Sequence, residues 1–254
     1  MSFFFRDAPC VILVGGAGTR FSNINEPPKQ LIKISKRTLL ENIILKFVKN
    51  KIYNFIFPLG YKKNFFENYF KKKKKINGIK LNIINKPDQK YKNNHINIVL
   101  FEAGEKSTKL IRIKKTLIFI KSRYFFVTYG DGLANIDFKK YFSMIKKNKK
   151  NIISAKKAKS QYGHLQINNK GEPKALYEKP EMENPINIGY YFFYKNSFEK
   201  YFHKKYELEG KFINILIKKK LINVFQHKGY FFNIDKKIDL LKLKKENKKI
   251  LKNL

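Results

Sequence analysis

The sequence predicts an α/β fold, a mostly parallel sheet covered by helices on both faces. Along most of the chain, apolar runs of strand length alternate with segments of helical period. The first run, Cys10 to Val14, ends in the glycine loop Gly15-Gly16-Ala17-Gly18. A later one, Phe125 to Tyr129, ends in Gly130-Asp131-Gly132. Parallel strands need crossover helices between them, and such sheets bind ligands beyond the carboxyl ends of their strands.

Taken in order, Cys10 to Val14 reads as a buried strand. Thr38 and Glu41 form a capping box ahead of the helical stripe Leu39, Leu40, Ile43, Ile44, Phe47 and Val48. Tyr53 to Phe57 is the next strand and Asn64 to Lys72 a helix. Lys80 to Ile84 and Ile96 to Phe101 are strands, and Ser107 to Ile120 is mostly helical. Phe138 to Asn148 follows the Asp131 loop as a helix. Ile152 to Lys156, Gly163 to Ile167, Lys174 to Glu178 and Ile186 to Tyr194 are strands, and Gly229 to Ile234 is strand-like. No repeat and no Pro/Ser-rich linker divides the chain, so residues 1–254 are expected to form one domain with its core over about 10–240. The lysine-rich stretch from Lys242 is expected to fray.

The formal charge is +37, which invites a nucleic-acid reading. Only five arginines contribute to it (Arg6, Arg20, Arg37, Arg112 and Arg123). Readers of bases and phosphates favour arginine forks, whereas Lys, Ile, Asn and Phe, all heavily used here, share A/T-rich codons. Biased composition explains the charge better than a specific nucleic-acid partner does. Lysine runs such as Lys71 to Lys75 read as solvated surface. Cys10, the one cysteine, reads as a buried structural thiol and excludes a disulfide framework or thiolate metal site. No segment approaches the roughly 20 apolar residues of a membrane span, so a soluble, cytoplasmic protein is expected.

The chemistry concentrates at two strand ends. Glycines after Val14 let backbone N–H groups close on phosphates, and Arg20 and Lys29 can neutralise charge that develops during transfer. The spacing fits neither the dinucleotide fingerprint, because Phe21 stands where a third small residue belongs, nor a P-loop. Asp131, flanked by glycines, can approach a bound ion closely, and Asp235 is a second candidate carboxylate for Mg²⁺. Asp235 could equally cap a helix over Lys236 to Leu243. Glu178-Lys179 could hold an acceptor's hydroxyls and phosphate, or form a surface ion pair. His95, His164, His203 and His227 fall in no metal or triad spacing.

These residues together resemble the sugar-phosphate nucleotidylyltransferases, most closely the glucose-1-phosphate cytidylyltransferases. Gly15, Gly16, Gly18, Thr19, Arg20 and Pro28-Lys29 match the superfamily signature. Gly60-Tyr61-Lys62 and Thr128-Tyr129-Gly130-Asp131-Gly132-Leu133-Ala134 match the cytidylyltransferase branch. Gly104-Glu105, Arg112, Tyr162-Gly163, Glu178-Lys179-Pro180, Asn187-x-Gly189 and Gly229-Tyr230 with Asp235 follow in family order. The resemblance implies a Rossmann-like nucleotidyltransferase fold and Mg²⁺-dependent transfer of CMP from CTP to a sugar 1-phosphate. It implies Arg20, Lys29 and Asp131 as catalytic, and Gly15, Gly16, Gly18, Thr19, Gly104 and Arg112 as nucleotide-binding. Glu178, Lys179, Asn187 and Gly189 would face the sugar phosphate, and Asp131 and Asp235 would hold Mg²⁺. No specific nucleic acid or membrane partner is implied, and homo-oligomerisation is left open.

The chain departs from the family pattern at Gln30 (proline), at Lys109, Leu110 and Ile111 (small residues), at Gln161 (arginine) and at Ile188 (glycine). Bulk in place of glycine is expected to reshape the acceptor pocket. A glycosyltransferase is disfavoured, because Asp131-Gly132-Leu133 lacks the second acid of an Asp-x-Asp motif. A nucleic-acid-binding module and a non-catalytic relative are the remaining alternatives.

Overall fold

The computed structural model describes residues 5, 7–16, 21, 23 and 25–246. In chain order the first half holds β1 (Cys10–Leu13), α1 (Leu39–Val48), β2 (Asn54–Leu59), α2 (Lys63–Lys72), β3 (Lys75–Ile76), β4 (Ile79–Ile84), β5 (Ile96–Glu102), α3 (Lys109–Thr116), β6 (Tyr124–Tyr129) and β7 (Gly132–Ala134). The second half holds α4 (Phe138–Asn148), β8 (Asn151–Lys156), β9 (His164–Ile167), β10 (Pro173–Tyr177), β11 (Ile186–Tyr194), α5 (Lys195–Tyr201), α6 (Ile213–Lys218), β12 (Ile222–Gln226), β13 (Phe231–Asn233) and α7 (Lys237–Glu246).

Local sequence explains the starts of α1, α3 and α4. The Thr38 hydroxyl accepts from Glu41 N at 3.1 Å, and Thr38 N donates to the Glu41 carboxylate at 2.8 Å. This expected capping box, whose N-cap alone is worth about 1 kcal/mol, launches α1, whose apolar stripe is buried. Thr108 and Asp137 cap α3 and α4 with the N-cap bond alone, accepting from Ile111 N and Lys140 N. The expected helix over 107–120 is an α-helix that tightens into a 3-10 turn at Leu117–Phe119. The helix expected to fray from Lys242 continues to Glu246 and buries Leu243; residues beyond 246 lie outside the described residues. Within the run expected to be solvated, Lys73 instead pairs with the buried Glu41.

The central sheet has nine strands in the order β12-β8-β11-β6-β1-β2-β5-β4-β3. β1, β2, β4, β5 and β6 run parallel, whereas β11 is antiparallel to both β6 and β8. The fold is the mostly parallel, helix-flanked sheet that the alternation predicts. Successive side chains of a strand leave on opposite faces, so Cys10 and Ile12 join one core and Val11 the other. Cys10 is wholly buried, and burial holds its thiol well above its ordinary pKa.

Two features position the site. From β1 the chain builds outward through β2 to β5 and β4, then returns to place β6 on the other side of β1. That reversal opens a crevice at the carboxyl ends of β1 and β6, where open α/β sheets take their ligands. Separately, β7 pairs antiparallel with β13, which sets Gly132 opposite Asn233. Ile234 N donates to Asp131 O at 3.1 Å, so this small ladder brings Asp235 back beside Asp131.

Candidate active site

A cavity of about 440 Å³ lies at the β1–β6 crevice. Its wall includes Gly15 and Gly16 after β1, Lys29 and Gln30 from the turn before α1, and Lys62 before α2. Ser107, Lys109 and Arg112 come from the start of α3, and Tyr129, Asp131 and Asp235 close the ring. A larger cavity of about 1030 Å³ opens near the amino ends of β1 and β6, against Pro9, Arg123, Tyr124 and Tyr194. The carboxyl edge is the functional one by topology, and there the predicted residues meet.

Lys29 is the centre of that meeting. Pro28, extended at φ −64°, leads into a 3-10 turn over Lys29–Leu31, closed by Leu31 N on Pro28 O at 2.9 Å. The turn drives the lysine inward until its side chain is only 9% exposed. Its ammonium sits 2.9 Å from Asp131 Oδ2 and 3.0 Å from Asp235 Oδ1. Asn233 Nδ2 donates to the other Asp235 oxygen at 2.9 Å. Asp235 therefore faces the cavity rather than capping α7; Asp239 takes that task, accepting from Asp235 N and Lys236 N.

The glycines serve two different needs. A Cβ on Gly15 would come 1.4 Å from Arg112 Nη1, and one on Gly60 would come 2.5 Å from the same guanidinium, so neither position has room for a side chain. Among the described residues nothing lies within 4 Å of where a Cβ on Gly16 would stand. Gly130 is held under the loop, where a Cβ would meet Val14 Cγ1 at 2.8 Å. Arg112 is 5% exposed and spends its fork on the backbone carbonyls of Ser107, Pro58 and Glu105. It ties the glycine loop, β2 and α3 together at the cavity wall. Gly104, at φ +94°, turns the chain out of β5 toward Ser107 without lining the cavity itself. Gly18, Thr19 and Arg20 lie outside the described residues.

The acceptor residues divide. Asn187 and Gly189 stand on β11 beside Tyr129, with Gly189 N donating to Asn187 Oδ1 at 2.9 Å. Glu178 and Lys179 follow the β9–β10 hairpin and do not line the cavity; they pair with each other at 3.3 Å, largely exposed. Of the bulky departures, Leu110 and Ile188 point into the cores at 0% and 1% exposure. The expectation that they reshape the acceptor pocket is therefore corrected, because Leu110 packs into one hydrophobic core and Ile188 into the other. Lys109 alone among those departures reaches the cavity.

Sequence reasoning missed Lys62, Tyr129 and Glu209 as site residues, and read Lys109 only as added bulk near the nucleotide and sugar rather than as a cation of the cavity wall. Lys62 donates to the carbonyls of Asn23 and Glu26 at 2.6 and 2.9 Å. Burial lowers its pKa, and Glu26 partly restores it. In a chain so rich in lysine neither cation stands out. Glu209 reaches the site from the kinked turn Leu208–Phe212, where its carboxylate accepts from Lys109 and from the Tyr129 hydroxyl.

Two carboxylates gathered around one positive charge are a donor set of hard oxygens that fits a divalent ion such as Mg²⁺, which takes one or two carboxylates and completes its shell with phosphate and water. Among the described residues no group of three or more His, Cys, Asp or Glu could hold a metal by itself. No helix among them is long and apolar enough to cross a membrane.

Comparison with known proteins agrees with this architecture. The nucleotidyl transferase family model matches residues 10–237. A probable glucose-1-phosphate cytidylyltransferase of Bacillus subtilis is 30% identical over 247 residues, 92% of this chain and 94% of that protein. Glucose-1-phosphate cytidylyltransferase of Salmonella typhimurium is 28% identical over 193 residues, covering 72% and 73%. Among solved structures, HddC from Yersinia pseudotuberculosis in complex with GMP-PN superposes with a TM-score of 0.68 at 22% identity, covering 95% of this chain and 100% of that one. An apo UDP-glucose pyrophosphorylase gives 0.68 at 19% identity, covering 97% and 99%.

Proposed function

The chain belongs to the nucleotidyl transferase family, and from that premise we propose that it transfers CMP from CTP to a sugar 1-phosphate with release of pyrophosphate. The observation that carries the reading is the Lys29 ammonium held between Asp131 and Asp235 in the cavity that Gly15 and Gly16 also line. Cytidine as the base and glucose 1-phosphate as the acceptor are what the Bacillus and Salmonella relatives are named for. The fold is shared with an apo UDP-glucose pyrophosphorylase, so donor base and acceptor are tested together. We read residues 1–254 as a single transferase domain.

In this reaction an oxygen of the acceptor's phosphate forms a bond to the α-phosphorus of the triphosphate, and the bond to the bridging oxygen of the β-phosphate breaks. The loop at Gly15 and Gly16 lets backbone approach the phosphates. Lys29 acts on the charge that shifts onto the departing pyrophosphate, an interaction strongest in the transition state. Arg20 takes a matching role by position. Asp131 and Asp235 would hold Mg²⁺, which when bound supplies further neutralisation of the phosphates. Arg112 acts from behind, fixing the loop. Asn187 and Gly189 lie on the acceptor side, as do Glu178 and Lys179 if the β9–β10 hairpin closes over the cavity.

The test is a matrix of the common NTPs against glucose, mannose, galactose and N-acetylglucosamine 1-phosphates, with pyrophosphate as the readout. The reading expects Mg²⁺-dependent release only when both substrates are present, with CTP the best donor. Release without an acceptor, or none in any pair, would contradict it. Because Lys109 enters the cavity where the family has a small residue, another acceptor is expected to exceed glucose 1-phosphate in kcat/KM. Glucose 1-phosphate coming out best would show the departures to be neutral.

A further inference from the structure

Every cation that lines the catalytic cavity has a partner in the protein. Lys29 is shared by two aspartates, Lys62 donates to two carbonyls, Lys109 pairs with Glu209 and Arg112 is committed to backbone. The larger cavity, of about 1030 Å³, is built differently. It lies at the opposite edge of the sheet, where Pro9 leads into β1, Arg123 leads into β6 and Tyr194 ends β11. β6 is six residues long, so at about 3.3 Å per residue the two cavities are about 20 Å apart along it. No residue lines both.

Four cations, Lys121, Arg123, Lys146 and Lys149, line this second cavity against one acid, Asp7. Lys146 and Lys149 end α4, where positive charge also offsets the helix's own negative end. Lys121 and Arg123 have no such task. The carbonyls that close the preceding helical turn, Leu117 O and Ile120 O, already accept from Lys195 Nζ at 3.3 and 2.8 Å. Among the described residues the side chains of Lys121 and Arg123 make no hydrogen bond or ion pair, and both are exposed. Arg123 is one of five arginines in the chain, and its planar fork suits a phosphate.

Aromatic rings complete the wall. Tyr124 and Tyr194 are paired across the antiparallel β6 and β11. Their ring centres lie 6.1 Å apart with the planes at 81°, which makes a corner against which a planar ring can rest. Burial raises both phenols above their ordinary range, so they stay neutral and do not repel an anion. A bare phosphate would leave these rings unused, and an apolar ligand would leave the cations unpaired. A ligand with both a phosphate and a planar ring uses the whole wall.

We propose that this cavity is a second nucleotide site, which takes a nucleoside di- or triphosphate with its phosphates on Lys121 and Arg123 and its base against Tyr124 and Tyr194. The inference goes beyond the transferase reading and stands apart from it, because the catalytic residues lie at the other end of the strands.

Equilibrium dialysis with radiolabelled CTP counts the sites. Wild type is expected to bind one more equivalent per chain than Lys121→Glu/Arg123→Glu. The same charge change on an exposed loop, Lys204→Glu/Lys205→Glu, should leave the count unaltered. Arg123→Met alone should weaken the extra equivalent about tenfold, and so should Tyr194→Leu, which keeps bulk but removes the ring. Turnover and the KM for CTP should stay within about twofold of wild type in all of these. Inorganic pyrophosphate, which has no ring, should displace the extra equivalent only at about tenfold the concentration of unlabelled CTP or more. The proposal is overturned if the double variant binds as many equivalents as wild type, if the control variant loses the same equivalent, or if pyrophosphate displaces as well as CTP does. Arg123→Met decides the matter if the double variant fails to fold. A wild-type protein that turns over no substrate pair would sink the transferase reading alone, since the extra equivalent is counted without turnover.

Discussion

The ammonium of Lys29 lies 2.9 Å from the carboxylate of Asp131, where a divalent ion would also find its oxygens. With Asp235 Oδ1 at 3.0 Å on the other side, the lysine neutralises both acids at once. An ion held by these carboxylates competes with the ammonium for them. Lys29→Met is therefore expected to bind Mn²⁺ more tightly than wild type in the absence of nucleotide, by about tenfold for one lost charge–charge contact. Electron paramagnetic resonance of free Mn²⁺ measures this directly. Lys62→Met controls for general electrostatics; an equal gain there, or none at Lys29, would mean that lysine and ion do not share a seat.

Asp131→Asn should fold normally, since the side chain is 26% exposed and the amide is isosteric. Turnover should nevertheless fall by about 10²-fold or more, because loss of a metal-holding carboxylate costs several kcal/mol at the transition state. Lys29→Ala should reduce kcat far more than it raises the KM for CTP. A rate within about threefold of wild type for Asp131→Asn removes that residue from the metal site.

Arg112 should matter first for stability. Replacing it with methionine orphans the carbonyls of Ser107, Pro58 and Glu105, for a loss of about 2–4 kcal/mol. Gly15→Ala should also destabilise, because the guanidinium that its Cβ would strike is anchored on those same carbonyls. Urea unfolding of both variants checks this; wild-type midpoints would show that Arg112 is free to serve the ligand alone.

His227 gives a pH signature. Its Nε2 lies 2.9 Å from Tyr230 O, and burial lowers its pKa from the ordinary 6.5. The unfolded chain therefore takes up the proton first as pH falls through 6.5. The stability from the neutral ring is present above that value and drains away below it, in a range above the usual carboxylate titrations. Melting temperature should drop between about pH 7.5 and about pH 5.5, and drop less in His227→Gln. Equal drops would assign the effect to other groups.

The surface charge is expected to be incidental. With few arginines and no reading motif, affinity for DNA should be non-specific and fall steeply with salt. A complex with one defined sequence that survives about 0.3 M salt would reverse this view.

Much of the architecture was legible because its signals are local. The capping box at Thr38, the strand ending at Asp131 and the apolar period of α1 each declare themselves within a few residues. Elements between 195 and 226 were not, because α5, α6 and β12 are only 7, 6 and 5 residues long, too short for a period to declare itself. In the site, Lys29 and Asp131 stood out by their place beside glycines at strand ends. The partnership of Asp131 with Asp235 depends on the β7–β13 ladder, which pairs segments about 100 residues apart and leaves no local trace. Glu209 was invisible for the same reason: its role exists only once Lys109 and Tyr129 are brought to it. The direction in which Leu110 and Ile188 point likewise depends on how their backbones pack.

Phosphorus NMR of the wild-type protein with Mg²⁺, CTP and the acceptor panel tests the central claim most directly. Nucleotidylyl transfer at the Lys29, Asp131 and Asp235 site predicts paired resonances of a new diphosphate ester growing in step with free pyrophosphate, and neither in Asp131→Asn. Orthophosphate with CDP instead, or the same products from Asp131→Asn at the wild-type rate, would contradict it.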